Sequence, residues 1–306
     1  MVLAPSGTAP AMPVALPDLP GVTHRTVDVA GLGVHVAEAG PPDAPPLVLL
    51  HGWPQHWWCW HRVVPLLADS YRLVMPDLRG HGWTDAPSTG YDKEQLASDL
   101  LGTLDALGLA EVGLVGHDWG GWTGFLACLR QPDRFRGFLA LGITHPFQAP
   151  DPARVLQAWR GWYQVALSVP LLSAAALRAT PLLVERAIRL GSVRSDAFTA
   201  DDLRLYGEVL QEPARARATV LLYRTFLLSE AGPVMGGRYR DARLTVPTRL
   251  VGGSADPVIT PALLRGYEDR ADDMTVEVLD GVGHFVPEEA PEVVAERAKA
   301  LFDRVT

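Results

Sequence analysis

The chain has 306 residues, 48% apolar and 20% charged, with a formal net charge of −8. That composition fits a globular protein built as one large domain, or as a domain carrying an insertion. The acidic balance and the lack of a basic patch argue against a nucleic-acid partner, and no apolar run reaches the ~18–20 residues of a membrane span.

Residues 1–22 have no basic start, and prolines interrupt their apolar stretch. They read as a mobile tail over the surface, not as a signal peptide. Cys59 and Cys128, the two cysteines, have neither metal-ligand spacing nor a disulfide framework, so a reduced, cytoplasmic setting is expected. Lys93 and Lys299 are the only lysines among many arginines, a bias read here as codon composition and not as function.

Residues 24–40 alternate apolar and polar positions around Gly31-Leu32-Gly33, the pattern of a β-hairpin. Pro46 to Leu50 is a continuous apolar run, hence a central strand, ending in His51-Gly52-Trp53-Pro54. Arg72 to Met75 is another strand, closing in Pro76-Asp77-Leu78-Arg79-Gly80-His81-Gly82. Leu96, Leu100, Leu104 and Leu107 fall at helical spacing between Asp92 and Leu109. Val112 to Val115 reads as a buried strand, a helix follows to about Arg130, and Gly137 to Ile143 is strand again. Between Phe147 and about Arg240 strands vanish, and amphipathic helices break at Pro170, Pro181 and Gly191, with Thr199 as an N-cap before Asp201 and Asp202. Alternation resumes with strand Thr248–Gly252, a helix from Pro261, strand Thr275–Leu279 and a last helix from Pro287 to Arg304. Strands alternating with helices imply a parallel α/β sheet, and the helical stretch reads as a cap over its C-terminal edge.

The sharpest local signal is Gly116-His117-Asp118-Trp119-Gly120-Gly121. Glycines two residues before and two after Asp118 let a strand turn abruptly into a helix, where a Cβ would collide with the backbone. The side chain at such a tip stands exposed above the sheet. A serine usually occupies it; here it is aspartate.

Ligands of such sheets bind beyond the carboxyl ends of the strands. Asp118 as nucleophile needs a base and an orienting acid. His284, after the last strand, is the natural base, and Asp256, after the strand before it, the natural acid. Thr144 and His145 follow the strand that ends near them and offer no carboxylate.

These motifs resemble those of the α/β-hydrolases of the epoxide hydrolase and haloalkane dehalogenase group, over nearly the whole chain from about residue 23. HGWP at 51–54, PDLRGHG at 76–82, GHDWGG at 116–121, SADP at 254–257 and GHF at 283–285 carry the resemblance together. It implies an α/β-hydrolase fold: a mostly parallel eight-stranded sheet flanked by helices, from residues 23–146 and 241–306. An all-helical cap at 147–240 would lie between the strand ending near Thr144 and the strand starting near Val246.

Attack by serine on an sp³ carbon would give an ether, whereas a carboxylate gives an ester that His284-activated water can cleave. The resemblance assigns the oxyanion donors to the backbone N–H groups of Trp53 and Trp119, with a cis peptide before Pro54. Tyr163, in Trp162-Tyr163-Gln164, and Tyr223, in Leu222-Tyr223-Arg224, match the cap tyrosines of epoxide hydrolases. Tyrosine hydroxyls suit protonation of a strongly basic alkoxide.

The implied activity is cofactor-free and metal-free opening of a small apolar epoxide by water to a vicinal diol, in a monomer or a homodimer. Pro54, Trp57, Trp162, His145 and Phe285 are candidates for the substrate pocket. The alternative is a haloalkane or haloacid dehalogenase with the same triad, and a third reading is a non-catalytic ligand-binding protein, against which the intact triad argues. The alternative for Tyr163 and Tyr223 is the role of ordinary core aromatics on amphipathic helices, and Trp57, Trp58 and Trp60 are more simply packing. Asp77, Arg79 and His81 are expected to hold their loop, His117 has no role readable from sequence, and Asp99 is expected on a solvated helix face.

Overall fold

The computed structural model describes residues 14–147 and 161–304. Most of the expected tail, residues 1–13, and the segment 148–160 at the start of the expected cap lie outside the described residues. The strands are β1 Val22–Val29, β2 Leu32–Ala39, β3 Pro46–Leu50, β4 Arg72–Pro76, β5 Val112–His117, β6 Phe135–Leu141, β7 Thr248–Gly253 and β8 Met274–Leu279. They form one eight-stranded sheet in the order β1-β2-β4-β3-β5-β6-β7-β8. Only the β1–β2 and β2–β4 pairs are antiparallel; the other five are parallel. The hairpin turns at Ala30-Gly31, one residue earlier than the glycine pattern suggests. Both residues have positive φ (51° and 88°), as a two-residue turn matched to strand twist requires.

The helices are α1 Val64–Leu67, α2 Lys93–Ala106, α3 Trp119–Arg130, α4 Trp162–Leu167, α5 Leu172–Ala179, α6 Leu182–Gly191, α7 Ala200–Gln211, α8 Pro213–Thr225, α9 Ala231–Met235, α10 Val286–Glu289 and α11 Pro291–Phe302. A π-helical turn, Phe226–Glu230, continues α8. Continuous apolar strands are buried on both faces because helices cover both. Successive strand residues alternate between two cores: Val48, Leu50, Leu114 and Phe138 pack with α2 and α3, whereas Leu47, Leu49, Val115 and Leu139 pack with α1, α11 and Trp60. No helix among the described residues is long and apolar enough to cross a membrane.

Two expected helices differ. The segment from Pro261 makes only a 3₁₀ turn, Pro261–Leu264, before Arg265 becomes extended. The last helix is two, α10 and α11, because Ala290 precedes Pro291 and sits at φ −144°, ψ 54°; a proline ring disfavours helical backbone in the residue before it.

From α4 to α9 the chain between β6 and β7 is helical, and its apolar residues Leu177, Ile188, Leu203 and Leu222 join the core that contains Trp53 and Trp119. Thr199 opens α7 as expected, within a reciprocal capping box with Asp202. Asp202 also receives the indole N–H of Trp58 at 2.7 Å, tying the insertion to the sheet unit.

Below the site, the loop after β4 is organised by a buried carboxylate. Asp77 accepts the backbone N–H of Trp57 at 2.8 Å and of Trp83 at 3.0 Å, and Nδ1 of His35 lies 2.7 Å from it. Burial alone would raise the pKa of Asp77, but the imidazoles of His35, His51 and His56 outweigh it and hold the carboxyl well below the usual carboxylate range. Asp99 is not on a solvated face: it is buried and grips Arg79 through two bonds of 2.6 and 2.7 Å. Replacing Asp77 with alanine strands two backbone donors and an imidazole. The expected loss is ~3–5 kcal/mol, the cost of removing one partner from a buried charged set. Asp77→Asn, which keeps an acceptor, should lose less in the same denaturant titration.

Candidate active site

β5 ends at His117 and α3 begins at Trp119, leaving Asp118 at φ 50°, ψ −121°. Non-glycine residues rarely hold such a backbone, at a strain on the order of 1–3 kcal/mol. The flanking glycines make it feasible. A Cβ on Gly116 would lie 2.7 Å from the Gly120 carbonyl oxygen, and one on Gly120 would lie 2.4 Å from the carbonyl oxygens of Leu50 and His51. Gly52 meets the tip from the other side, since a Cβ there would come within 2.4 Å of Asp118 itself.

Asp118 Oδ1 accepts the backbone N–H of Trp53 at 3.0 Å, and the Trp53–Pro54 peptide is cis. Its Oδ2 faces His284 Nε2 at 3.6 Å, and His284 Nδ1 lies 2.9 Å from Asp256 Oδ2. The other oxygen of Asp256 accepts the N–H groups of Val258 (2.7 Å) and Ile259 (2.9 Å), so the acid is fixed from both ends. The sequence gives no hint of Glu289. This buried carboxylate accepts the N–H groups flanking His284, those of Gly283 and Phe285, both at 3.1 Å. It also accepts the N–H groups of Val193 (3.0 Å) and Arg194 (3.3 Å) just beyond α6. His117 Nε2 meets the His284 carbonyl at 2.9 Å, which gives that residue a positioning contact.

Burial disfavours a charged His284, but the carboxylate of Asp256 and the hydrogen bond and charge of Asp118 overcome it, pushing the imidazole up to about 10. Asp118 shows the converse: burial would raise it, yet the His284 contact lowers it, helped by the N–H of Trp119. The unliganded site is thus an imidazolium between two carboxylates. Burial, with Asp118's charge adding to it, raises the hydroxyls of Tyr163 and Tyr223; both are firmly protonated at neutral pH.

Tyr223 stands edge-on to Trp53 (5.5 Å between centroids), to Trp119 (5.7 Å) and to Tyr163 (6.0 Å). Trp53, Trp119, Tyr163 and Tyr223 therefore come together across the junction of insertion and sheet. Pro54 is buried beside them in sequence, and Phe285 is buried edge-on to His284 at 5.2 Å.

Three pocket candidates fall elsewhere. Trp57 is wholly buried in the second core, edge-on to His24, because its N–H is anchored to Asp77. Trp162 is 63% exposed. His145 turns towards the Arg265 carbonyl at 2.9 Å and stacks on Phe147. Among the described residues no group of three or more His, Cys, Asp or Glu side chains is placed to hold a metal ion.

Residues 45–291 match the alpha/beta hydrolase fold family. The chain is 31% identical to the soluble epoxide hydrolase of Corynebacterium sp. (strain C12), over 92% of this chain and 97% of that one. The chain belongs to the α/β-hydrolase family, among its epoxide hydrolases. It is also 29% identical to epoxide hydrolase A of Mycobacterium tuberculosis, over 93% and 97% of the two chains. The solved structure of epoxide hydrolase CorEH without ligand superposes with a TM-score of 0.81 at 29% identity, covering 93% of this chain and all of that one.

In this α/β-hydrolase the raised pKa of His284 links the site to stability. A folded-state pKa above the unfolded value of 6.5 gives stabilisation that is fully present below pH 6.5 and lost as pH rises towards 10. Thermal denaturation of wild type and His284→Ala across pH 6–10 should therefore show a stability difference that shrinks with rising pH. A constant difference would mean that His284 is not charged in the folded protein.

Proposed function

We propose that the chain hydrolyses an epoxide through a covalent ester on Asp118, with the helices between β6 and β7 acting as a cap that carries the proton donors. The observation that carries this reading is the division of the Asp118 carboxylate. One oxygen is held by the Trp53 N–H at 3.0 Å and the other faces His284 at 3.6 Å, with no hydroxyl nucleophile at the elbow.

A carboxylate oxygen of Asp118 attacks a ring carbon, a C–O bond forms, and the strained C–O bond of the oxirane breaks. Its electron pair takes a proton from Tyr163 or Tyr223. The negative charge that left Asp118 now rests on a phenolate, so the site's total charge is unchanged, and the loss of charge at Asp118 removes part of what made the phenols poor acids. Esterification also removes one of the two carboxylates that raised His284. Its pKa falls, and its proton passes to the phenolate through solvent, leaving a neutral phenol and a neutral imidazole that can act as a base at neutral pH. Water, giving its proton to His284, adds to the ester carbonyl carbon of Asp118. The N–H groups of Trp53 and Trp119 receive the oxyanion. Collapse breaks the ester C–O bond, the proton of the added hydroxyl passes to the departing alkoxide to give the diol, and the site is left with its carboxylate, imidazolium and phenols as at the start.

Dehalogenation by the same triad would need an indole N–H free to hold the halide, but that of Trp119 faces the Tyr223 hydroxyl and that of Trp53 donates to Thr219 at 3.2 Å. The two tyrosines meeting at the elbow favour the epoxide.

Single turnover of a styrene-type epoxide in heavy-oxygen water should place the label in residue 118; an unlabelled Asp118 would end the covalent proposal. The double variant Tyr163→Phe, Tyr223→Phe should lose ~10²–10⁴-fold or more in kcat, the scale of a positioned general acid, whereas unchanged turnover with halide release from a chloroalkane would select the dehalogenase. With His284→Ala, mass spectrometry should detect the ester on Asp118 accumulating. In wild type, the hydrolysis step should require a group titrating well below the 10 of the free enzyme, read by rapid-quench kinetics across pH.

A further inference from the structure

One of the two lysines is fully inside the protein. Lys93, the first residue of α2, is 1% exposed. Its Nζ donates to the carbonyl of Tyr91 (3.2 Å), the carbonyl of Leu222 (3.0 Å) and Glu230 Oε2 (3.3 Å). Glu230 Oε1 accepts the backbone N–H of the same lysine at 2.9 Å. The ammonium also lies 4.5 Å from the centre of the Trp119 ring and 5.4 Å from that of Phe226, and those two rings meet edge-on at 5.0 Å.

Each contact reaches a different part of the site. Leu222 precedes Tyr223 on α8. Glu230 ends the π-helical turn that follows α8, a distortion that often marks a functional segment. Trp119 supplies the proposed second oxyanion N–H, and its ring packs on Tyr223. A charge removed from water survives only where it is paired and hydrogen-bonded; here the ammonium's bonds to Leu222 and Glu230 join the sheet unit to the insertion, and the third closes on the neighbouring Tyr91 carbonyl.

We propose that Lys93 is a positioning residue: with Glu230 it forms a latch that fixes Tyr223 and Trp119 against each other, and its loss of charge releases them. This rests on the roles given to Tyr223 and Trp119 above. Burial lowers the pKa of Lys93 to about 8, against the opposing pull of Glu230, of Asp92 at the start of α2 and of Asp118 at the elbow. From α8 the ammonium meets the Leu222 carbonyl, and Tyr223, next to it in the chain, stays neutral through this range. The latch therefore opens at a pH well below the 10 at which the free-enzyme His284 titrates.

The test uses the full-length enzyme and a styrene-type epoxide. kcat should fall on the order of 10–100-fold as pH rises through about 8, the scale expected when a reacting group is misplaced, while KM changes little. Glu230→Gln removes the charge that supports the ammonium, so the alkaline limb should move about one pH unit or more to the acid side. Lys93→Met, which carries no charge to lose, should turn over at the wild type's alkaline level across the whole range and show no limb. Independently of turnover, hydrogen exchange of residues 220–230, corrected for the intrinsic rate, should accelerate between pH 7 and 9 in the wild type. An alkaline limb that stays in place in Glu230→Gln, or exchange indifferent to pH, overturns the latch. Because the exchange experiment needs no chemistry at Asp118, its failure is distinct from an unlabelled residue 118.

Discussion

The site depends on holding a carboxylate where a backbone resists being. Asp118 occupies a left-handed conformation at the end of β5, and four backbone passages close around it. Gly52 approaches from the loop after β3, Gly116 and Gly120 cross beneath it, and Gly121 packs on Ile143. The strain at the tip is sustained because strands β3, β5 and β6 are buried on both faces and cannot yield. Rigidity of the sheet thereby yields a carboxylate that cannot turn away from the Trp53 N–H and His284.

The electrostatics follow from that confinement. Two carboxylates and one imidazole share a space from which water is largely excluded, so each group's protonation is set by the others more than by solvent. Such a set cannot react at one member without changing the rest. On the covalent reading proposed above, neutralising Asp118 by esterification would relax the hold on the His284 proton, so that one carboxylate would serve as nucleophile and as the switch that brings the base into play. Asp256 remains as the fixed partner, anchored by the Val258 and Ile259 N–H groups, and Glu289 keeps the His284 loop from following the proton.

Local signals were legible in the sequence wherever a covalent neighbour creates the constraint. The glycines around Asp118, the Thr199 cap and the buried runs of β3 and β5 all place their cause within a few residues of their effect. That Asp118, His284 and Asp256 come together was legible because strand ends converge in this topology. Partnerships across the chain were not. Lys93 and Glu230 are 137 residues apart, and a lysine after Asp92 in an amphipathic helix looks like any solvated charge. Asp99 faces Arg79 only once the loop after β4 folds back over α2. Trp57 is a pocket candidate from sequence, with packing the simpler reading, and a 3₁₀ turn anchored by Asp77 turns it into the opposite core. The short turn at Pro261 defeated periodicity because four residues carry none.

Arginine dominates the basic residues of this chain, with only Lys93 and Lys299 departing from it. At Lys93 the departure has a physical rationale. Three acceptors converge on a point between two aromatic rings, and a compact ammonium with three rotatable donors fits that point. A planar guanidinium needs a larger slot and presents its donors in a rigid fork. An arginine here would either displace Trp119 or leave part of its fork unpaired in the core. The same compactness makes the group titratable, since an ammonium can surrender its proton when buried and a guanidinium does not. Other ties between insertion and sheet, such as Arg215 to the Gly82 and Thr84 carbonyls, use the rigid fork of a guanidinium. Within this set, the lysine is the tie that permits the insertion to be both fixed and releasable.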